Sequence, residues 1–498
     1  MRNKLKTIHF VLATFFVITL SVSCASNGGI EVGGVKPKKF TQEKYDEAVS
    51  KGKIEDAFAM TLGKKYANND IIIQKMDIAM MAHFTKDYAS SSRYFNSVNE
   101  DIKNAVTQSL AKGAIAALGN ENAKEYAGSI YESHFLNVFN AFNYYNRGDL
   151  ESAVALMKDL AQKRVMYDVV ALAVADESDD EAAKEASADA NSKVNTAEAA
   201  SKINVDMNAI NRRAPRKPTE DDVFSDSALE RYVALNFYKM QTLDRFTPIE
   251  VRGIAEQEIE QQGKLFKANC PSYDIERDIE IPDGMGRVNV LAFSGLIGRR
   301  REHATYFPGD FIDGMEYLPP LVIDDVTVPA FRLKFVFPEF ERKPKKIQRV
   351  IARIGEQEIE LSMLEDFDSA VEKDVNSKAY KAFKRSVFRS ILKKSIAVTA
   401  GAKSIAATSD SGEFARMAAT FAASVAIDAT DLAETADIRQ VMALPSSANA
   451  GGVNLAAGSY PVSVRYFGAN GNLIAEESLG TVNVKAGKLV LMESLCIR

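Results

Sequence analysis

Large apolar side chains recur every three or four residues over residues 41–172. This spacing places them on one face of an α-helix, so the pattern predicts a helical region. The clearest stripe stops before Gly148 and consists of Phe135, Val138, Phe139, Phe142 and Tyr145. A second stripe begins beyond the glycine, at Val154, Met157 and Leu160. We therefore predict two helices that pack together across a turn at Gly148.

The helical region contains three turn signals of similar form, at residues 52–57, 86–91 and 148–153. The first two begin 34 residues apart, which is the period of tetratricopeptide repeats. In such a hairpin Gly148 and Asp149 form the turn, and Ala153 is small enough for the two helices to approach closely. The third signal begins 62 residues after the second, so the array is irregular and an ordinary helical bundle is the alternative.

The hydrophobic pattern changes further along the chain. Residues 173–225 are rich in Ala and acidic residues and predict a solvated helix or a linker, and helical spacing returns over 226–268. From residue 269 onward, short β-branched or aromatic runs predict strands at 287–293, 321–328, 331–337, 347–354, 459–467, 473–478 and 482–495. A long helix is predicted over 366–398 and a second over 400–433. We therefore predict an α+β multidomain protein, with tetratricopeptide-like helical hairpins followed by a β-rich, sandwich-like domain at 269–498 that includes one or two long helices.

Residues 1–23 begin with Arg2, Lys4 and Lys6 and continue with an uncharged apolar run, which is the layout of a secretory signal. The run is shorter than the ~20 residues that span a bilayer. Cys24 directly follows a small residue, and this arrangement resembles the lipobox of bacterial lipoproteins. The resemblance implies that Cys24 is acylated as the first residue of the mature protein. Plain cleavage that leaves an incidental thiol is the alternative.

The segment after the cysteine indicates how and where the protein is anchored. Residues 24–40 are rich in glycine and lysine and predict a flexible tether, and two or more acyl chains hold a protein stably on a membrane. Ala25 and Ser26 follow the cysteine, with no aspartate beside it. By resemblance to the lipoprotein sorting pattern, this implies the outer membrane. We expect a periplasm-facing protein, and exposure at the cell surface is the other orientation.

Composition excludes some classes of function. Hydrophobic content of 46% and charged content of 26% are ordinary for a soluble globular protein. The formal net charge of −5 offers no general footprint for nucleic acid, so we expect no nucleic-acid partner. Cys270 and Cys496 are the cysteines beyond Cys24, and their spacing leaves open whether they pair.

No catalytic or metal-binding motif stands out. His83, His134 and His303 are isolated in the sequence, and no phosphate-binding loop or nucleophile motif is present, so we predict no catalytic residue, metal or cofactor. Basic residues step by four along the predicted long helix and form a candidate face for an anionic partner, at Arg385, Arg389 and Lys393. A solvated helix surface is the alternative. A second basic cluster, residues 299–301, is predicted to lie in a loop.

The order of segments resembles a family of uncharacterised bacterial lipoproteins with a tetratricopeptide-like N-terminal region and a mixed C-terminal part. The resemblance rests on residues 135–153, on residues 385–393, and on a C-terminal motif formed by Asp437, Arg439, Leu444 and Pro445. It implies no reaction. We expect Arg439 to brace a strand edge through Asp437 or a backbone carbonyl, and Pro445 to end the segment before it.

These features predict a non-catalytic scaffold that binds envelope proteins. The alternatives are a glycan-binding or peptidoglycan-processing protein and a structural spacer. A long open groove would favour the scaffold, and a deep cleft with clustered carboxylates or aromatic rings would favour the glycan protein. A spacer would show no concave surface.

Overall fold

The structure is a computed structural model that describes residues 31–111, 126, 128–161, 196–307, 321–323 and 325–498. Helices fill most of the first part of the chain, and strands dominate after residue 284. The predicted α+β organisation, with a helical N-terminal part and a strand-rich C-terminal part, is therefore confirmed. The helices of the first part are α1 (Gln42–Ser50), α2 (Ile54–Gly63), α3 (Ile71–Phe84), α4 (Tyr88–Ala111), α5 (Ile130–Asn146), α6 (150–161), α7 (Thr196–Lys202), α8 (Met207–Asn211), α9 (Ala228–Leu243), α10 (Ile249–Asn269) and α11 (Ile275–Ile279).

Three helix pairs are joined where the turn signals predicted. Gly52, Lys86 and Gly148 have positive φ angles of 70°, 63° and 84°, which lets the chain reverse between α1 and α2, α3 and α4, and α5 and α6. Asp149 Oδ1 accepts a hydrogen bond from the N–H of Ser152 at 2.9 Å and so caps the start of α6. Ala153 is fully buried. The predicted roles of Gly148, Asp149 and Ala153 in a helical hairpin match this geometry.

Within the described residues, the strands form two four-stranded sheets and two two-stranded sheets. The first sheet has the order β12-β1-β9-β8, in which β1 and β12 are parallel, and the second has the order β11-β10-β6-β7. Strands β2 and β5 pair with each other, as do β3 and β4. The strand bounds are β1 (Met285–Ser294), β2 (Arg299–Phe307), β3 (Leu321–Ile323), β4 (Val326–Val328), β5 (Leu333–Glu341), β6 (Arg349–Ile354), β7 (Gln357–Glu360), β8 (Ser362–Asp366), β9 (Ser447–Ala456), β10 (Gly458–Phe467), β11 (Leu473–Val484) and β12 (Leu489–Cys496).

Strand β1 is buried on both faces. Val288 and Val290 belong to an apolar cluster that also contains residues of β6, β10 and β11, in the second sheet. Leu291 and Phe293 belong to a different cluster, which they share with the N-terminal helices. The rings of Phe293 and Phe139 lie 4.8 Å apart between their centroids. The hydrophobic core therefore continues across the boundary that the sequence predicts at 268/269.

Two long helices lie between β8 and β9 in the sequence, α12 (Phe367–Ala406) and α13 (Glu413–Leu432). Helix α12 packs on β5, where the rings of Phe335 and Phe383 lie 5.9 Å apart. A Cβ atom at Gly401 would lie 2.9 Å from Ala423, so the glycine permits close packing of α12 against α13. Helices α7 and α8 belong to the same apolar cluster as Phe335 and Phe383, so this part of the predicted linker packs against the strand-rich part of the protein.

Several sequence predictions are wrong in detail. Residues 299–301 are not a loop but the first residues of β2, and strands β8 and β9 were not predicted. Residues 482–484 belong to β11, because a turn at Gly487 with φ of 68° separates them from β12. The flexible tether predicted over 24–40 is corrected for residues 31–40. Val32 is 1% exposed within the helical core, and the Lys38 N–H donates to the Ala59 carbonyl at 2.7 Å.

Cys270 and Cys496 are both free thiols. Burial raises the pKa of each. Among the residues that the structure describes, none of the helices combines the length and apolar character needed to cross a bilayer.

Candidate functional site

A groove lies where the first helices meet the strand-rich part, and we call it the junction groove. It consists of two adjoining surface cavities of about 340 Å³ and 550 Å³, which share Asp46, Leu296 and Lys343 in their walls. Helix α1 forms one wall. The other walls come from the α2–α3 connection and from the segments around residues 294–300, 343–347 and 438–442. The groove therefore collects residues that are far apart in the sequence.

A buried polar network fixes the floor of the first cavity. Arg300 Nη2 lies 2.6 Å from Asp374 Oδ2 and 3.0 Å from the hydroxyl of Ser129. Lys378 Nζ lies 2.7 Å from the other oxygen of Asp374. Burial alone would raise the pKa of Asp374, but Lys378 and Arg300 outweigh it and hold this pKa below its ordinary value. The network joins the N-terminus of α5, the start of β2 and α12.

Arg439 lies in the wall of the same cavity. Its Nε and Nη2 atoms each donate to one oxygen of Asp437 at 2.8 Å, and its Nη1 atom lies 3.3 Å from Asp70. The predicted contact between Arg439 and Asp437 is confirmed. The additional contact with Asp70 also ties this segment to the helical part.

The rest of the C-terminal motif lies just behind this wall. Leu444 is fully buried, and its carbonyl accepts a hydrogen bond from the Ile297 N–H at 3.0 Å. Pro445 is buried and stands two residues before the start of β9, in agreement with its predicted place at the end of a segment.

Two buried carboxylates hold the 438–442 segment from the helical side. Glu132 of α5 accepts from the N–H of Val441 at 3.0 Å, and Asp77 of α3 accepts from the N–H of Met442 at 2.7 Å. Burial raises the pKa of Asp77, although Lys64 and a hydrogen bond from Tyr66 act in the opposite direction. Because both carboxylates bind backbone groups, this wall is fixed whatever side chains it carries.

Basic residues outnumber acidic ones in the walls. Among the described residues, nine lysines and arginines line the two cavities against three acidic residues, Asp46, Glu47 and Asp70. Each of the three acids already has a cation beside it. Arg299 Nη2 lies 2.7 Å and 2.5 Å from the two oxygens of Asp46, Lys51 lies 2.5 Å from Glu47, and Arg439 pairs with Asp70.

Three lysines of the groove lack such a counter-charge. Within the part of the chain that the structure describes, Lys65, Lys343 and Lys346 have no carboxylate within ion-pair distance. Lys343 is half-buried, and its place in the wall belongs to both cavities. Burial and the neighbouring Arg299 lower the pKa of Lys343, and Asp46 and Asp368 offset this only in part. Lys343 is therefore a cation that its surroundings do not neutralise.

Comparisons with protein-family models, with curated proteins and with solved structures give no match to this chain. In the described residues, histidine, cysteine and acidic side chains do not gather in any group of three that could hold a metal ion. Cys24 lies outside the described residues.

The candidate basic face on the long helix is corrected. Arg389 is 2% exposed, and its Nη2 atom lies 2.7 Å from Glu434 Oε1. Lys393 lies 3.1 Å from the other oxygen of Glu434, and Arg385 is half-buried. Arg389 and Lys393 therefore pair with a carboxylate of the same chain, Glu434, which lies just beyond the end of α13 and packs against α12.

Sequence reasoning did not single out the residues that matter most in the groove. A signal was present, because residues 343–346 read Lys-Pro-Lys-Lys. What the sequence could not show is which of these lysines is paired. All three line the groove, but Lys345 lies 2.9 Å from Asp366, whereas Lys343 and Lys346 have no ion pair with a described residue.

Proposed function

We propose that this protein is a lipoprotein scaffold of the cell envelope, anchored to the outer membrane through acyl chains on Cys24. Its helical hairpins are of the tetratricopeptide type, its two four-stranded sheets form a sandwich-like module, and it faces the periplasm. The scaffold binds a segment of another envelope protein in the junction groove.

The observation that carries this proposal is the groove itself. Two adjoining cavities with common wall residues make a concave surface that is longer than either cavity. Its walls are fixed by buried networks, so the surface is formed before a partner binds, and a preformed surface loses less entropy on binding. A spacer would need no such surface.

The alternative of a glycan-binding or glycan-processing protein has less support in the same place. The three acidic residues of the groove are already paired with cations, which leaves no free pair of carboxylates in its described walls. Sugar rings stack on exposed aromatic faces, but Tyr45 is only 2% exposed. The ring of Tyr66 is covered by Lys64, whose Nζ atom lies 4.4 Å from the ring centroid.

Site-specific photocrosslinking in the native envelope tests the scaffold. A photoreactive residue replaces Ser50 or Lys65, two exposed positions at the two cavities, and Glu256 on the exposed surface of α10 serves as the matched control. We expect the same protein to be captured from positions 50 and 65 and not from position 256. Capture of glycan fragments, or equal capture from all three positions, would contradict the proposal.

The anchor is tested separately with Cys24→Ala. The variant is expected to leave the membrane fraction and appear in the soluble fraction, because the acyl chains are the attachment. If the variant remains with the membrane, lipidation of Cys24 is not the anchor.

A further inference from the structure

We infer that the junction groove binds an acidic polypeptide segment, and that Lys343 forms the ion pair at its centre. This inference rests on the proposed scaffold function and adds the chemistry of the partner. It arises from three features of the groove: which of its charges are paired, where the unpaired charges lie, and what lies between them.

Among the described side chains that line the groove, the charges that remain unpaired are all positive. Asp46, Glu47 and Asp70 are each held by a cation of the same chain. Lys65, Lys343 and Lys346 have no carboxylate within ion-pair distance among the described residues. An incoming carboxylate therefore meets uncompensated lysines and displaces no internal ion pair.

Of the three lysines, Lys343 is expected to bind an anion most strongly. It is half-buried between the two cavities, and its neighbour Arg299 carries the same charge. An ion pair formed there is stronger than one in open solvent, because less water screens it. Burial also lowers the pKa of Lys343, so an anion that pairs with the ammonium group is expected to raise this pKa again and to draw a proton from solution at alkaline pH.

The walls contain apolar residues beside the lysines, which favours a polypeptide over a simple anion, although most of each apolar side chain is buried. The first cavity is lined by Ile73, Leu296 and Ile297, and the second by Val49 and Ile347. Side chains of an extended peptide alternate in direction, so a peptide that alternates acidic and apolar residues presents all its carboxylates on one face, where they can meet the lysines. A glycan would lack the apolar side chains, and the groove offers it no free aromatic face.

The test uses the full-length protein in detergent micelles and two fluorescent peptides of eight residues. One peptide alternates Glu and Val and the other alternates Gln and Val, and binding is measured by fluorescence anisotropy. We expect the Glu peptide alone to bind, with an affinity that falls as salt is added. Lys343→Gln should weaken binding about tenfold or more, because truncating one partner of a charge pair that is shielded from water costs more than truncating one at the exposed rim.

Lys485→Gln is the matched control, because Lys485 is an exposed lysine beyond β11 and has no ion pair with a described residue. It should bind the Glu peptide as the parent does. Loss of binding through misfolding is excluded by the thermal midpoint. Lys343→Gln removes a half-buried charge that has no ion pair with a described residue, so we expect it to unfold at the same temperature as the parent or at a higher one.

Equal binding of the two peptides, or unchanged binding by Lys343→Gln, would overturn the inference. So would a lower thermal midpoint for that variant, because it would mean that Lys343 supports the fold. Cell-wall glycan fragments that displace the Glu peptide would identify a different ligand class. If the peptide fails to bind while positions 50 and 65 still crosslink to one protein, the scaffold stands and the acidic partner is wrong.

Discussion

The buried pair of Arg300 and Asp374 is expected to hold the junction together, and Asp374→Asn tests it. Both side chains are almost fully buried, at 5% and 6% exposure. Removing one charge of a buried pair leaves the other without compensation and costs about 3–5 kcal/mol. The asparagine oxygen can still accept a hydrogen bond from Arg300, and Glu132 remains as a second negative charge nearby. We therefore expect the lower end of this range, about 3 kcal/mol.

Urea unfolding provides the measurement, followed by circular dichroism because the chain contains no tryptophan. Glu372→Gln is the matched control, since Glu372 lies on the same helix but pairs with Arg342 at the surface, where both side chains are about 40% exposed. A surface pair contributes about 0–1 kcal/mol. If the two variants lose the same stability, the buried pair does not act as described.

A double variant distinguishes a stranded charge from a lost contact. Arg300→Met combined with Asp374→Leu removes both charges and fills the site with apolar atoms. Replacement of a buried pair in this way is often neutral, so the double variant should recover most of the loss of Asp374→Asn. A double variant as unstable as the single one would show that packing, and not charge, explains the effect.

Three further predictions follow from single residues. Burial alone would lower the pKa of His83. Glu493, whose Oε1 atom lies 2.6 Å from His83 Nε2, and Asn143, which is hydrogen-bonded to the ring, raise this pKa above its ordinary value. The contribution of the protonated His83 to the free energy of unfolding is thus fully present below its unfolded pKa of about 6.5 and is lost as pH rises through the higher folded pKa. His83→Gln should therefore flatten this part of the profile of thermal midpoint against pH. Burial raises the pKa of Glu365 to about 7, so its ionisation opposes folding at higher pH. Glu365→Gln should therefore raise the thermal midpoint at about pH 8 more than at about pH 5, and an equal effect at both would contradict the reasoning. Gly148→Ala should lower the free energy of unfolding by about 1 kcal/mol because φ is 84°, whereas Gly253→Ala, in the open interior of α10, should raise it by up to about 1 kcal/mol in the same urea experiment.

The helical hairpins were predictable because their signals are local. Gly148 reverses the chain, and Asp149 caps α6 by accepting a hydrogen bond from the N–H of Ser152, three residues further on. Both properties follow from the residue types and their order, whatever the rest of the protein does.

Strand β2 and the basic face could not be predicted because distant residues decide them. The arginines at 299–301 become a strand only because β5 pairs with them, with Arg299 opposite Glu341. Arg389 has the helical spacing of a surface residue, but it is buried in an ion pair with Glu434, which lies 45 residues further along the chain. A charge pattern within one helix carries no information on such a partner.

The groove could not be predicted from the sequence for the same reason. Its walls combine residues near 45, 65, 297, 343 and 440, and no local pattern connects them. The lysines were visible, and the C-terminal motif around Arg439 was recognised. What decides their chemistry is whether an acid lies beside each one, and that depends on the folded chain.

Strand β12 lies parallel to β1, and its residues Leu489 and Leu491 share a core with the N-terminal helices. Glu493 of the same strand meets His83, 410 positions earlier in the chain. Helices as short as α1 and α2, with 9 and 10 residues, are marginal on their own in water and depend on packing for their stability. Their common core closes only when the last strand docks beside β1. Completion of this core therefore depends on pairings of long sequence separation, which are slow to form.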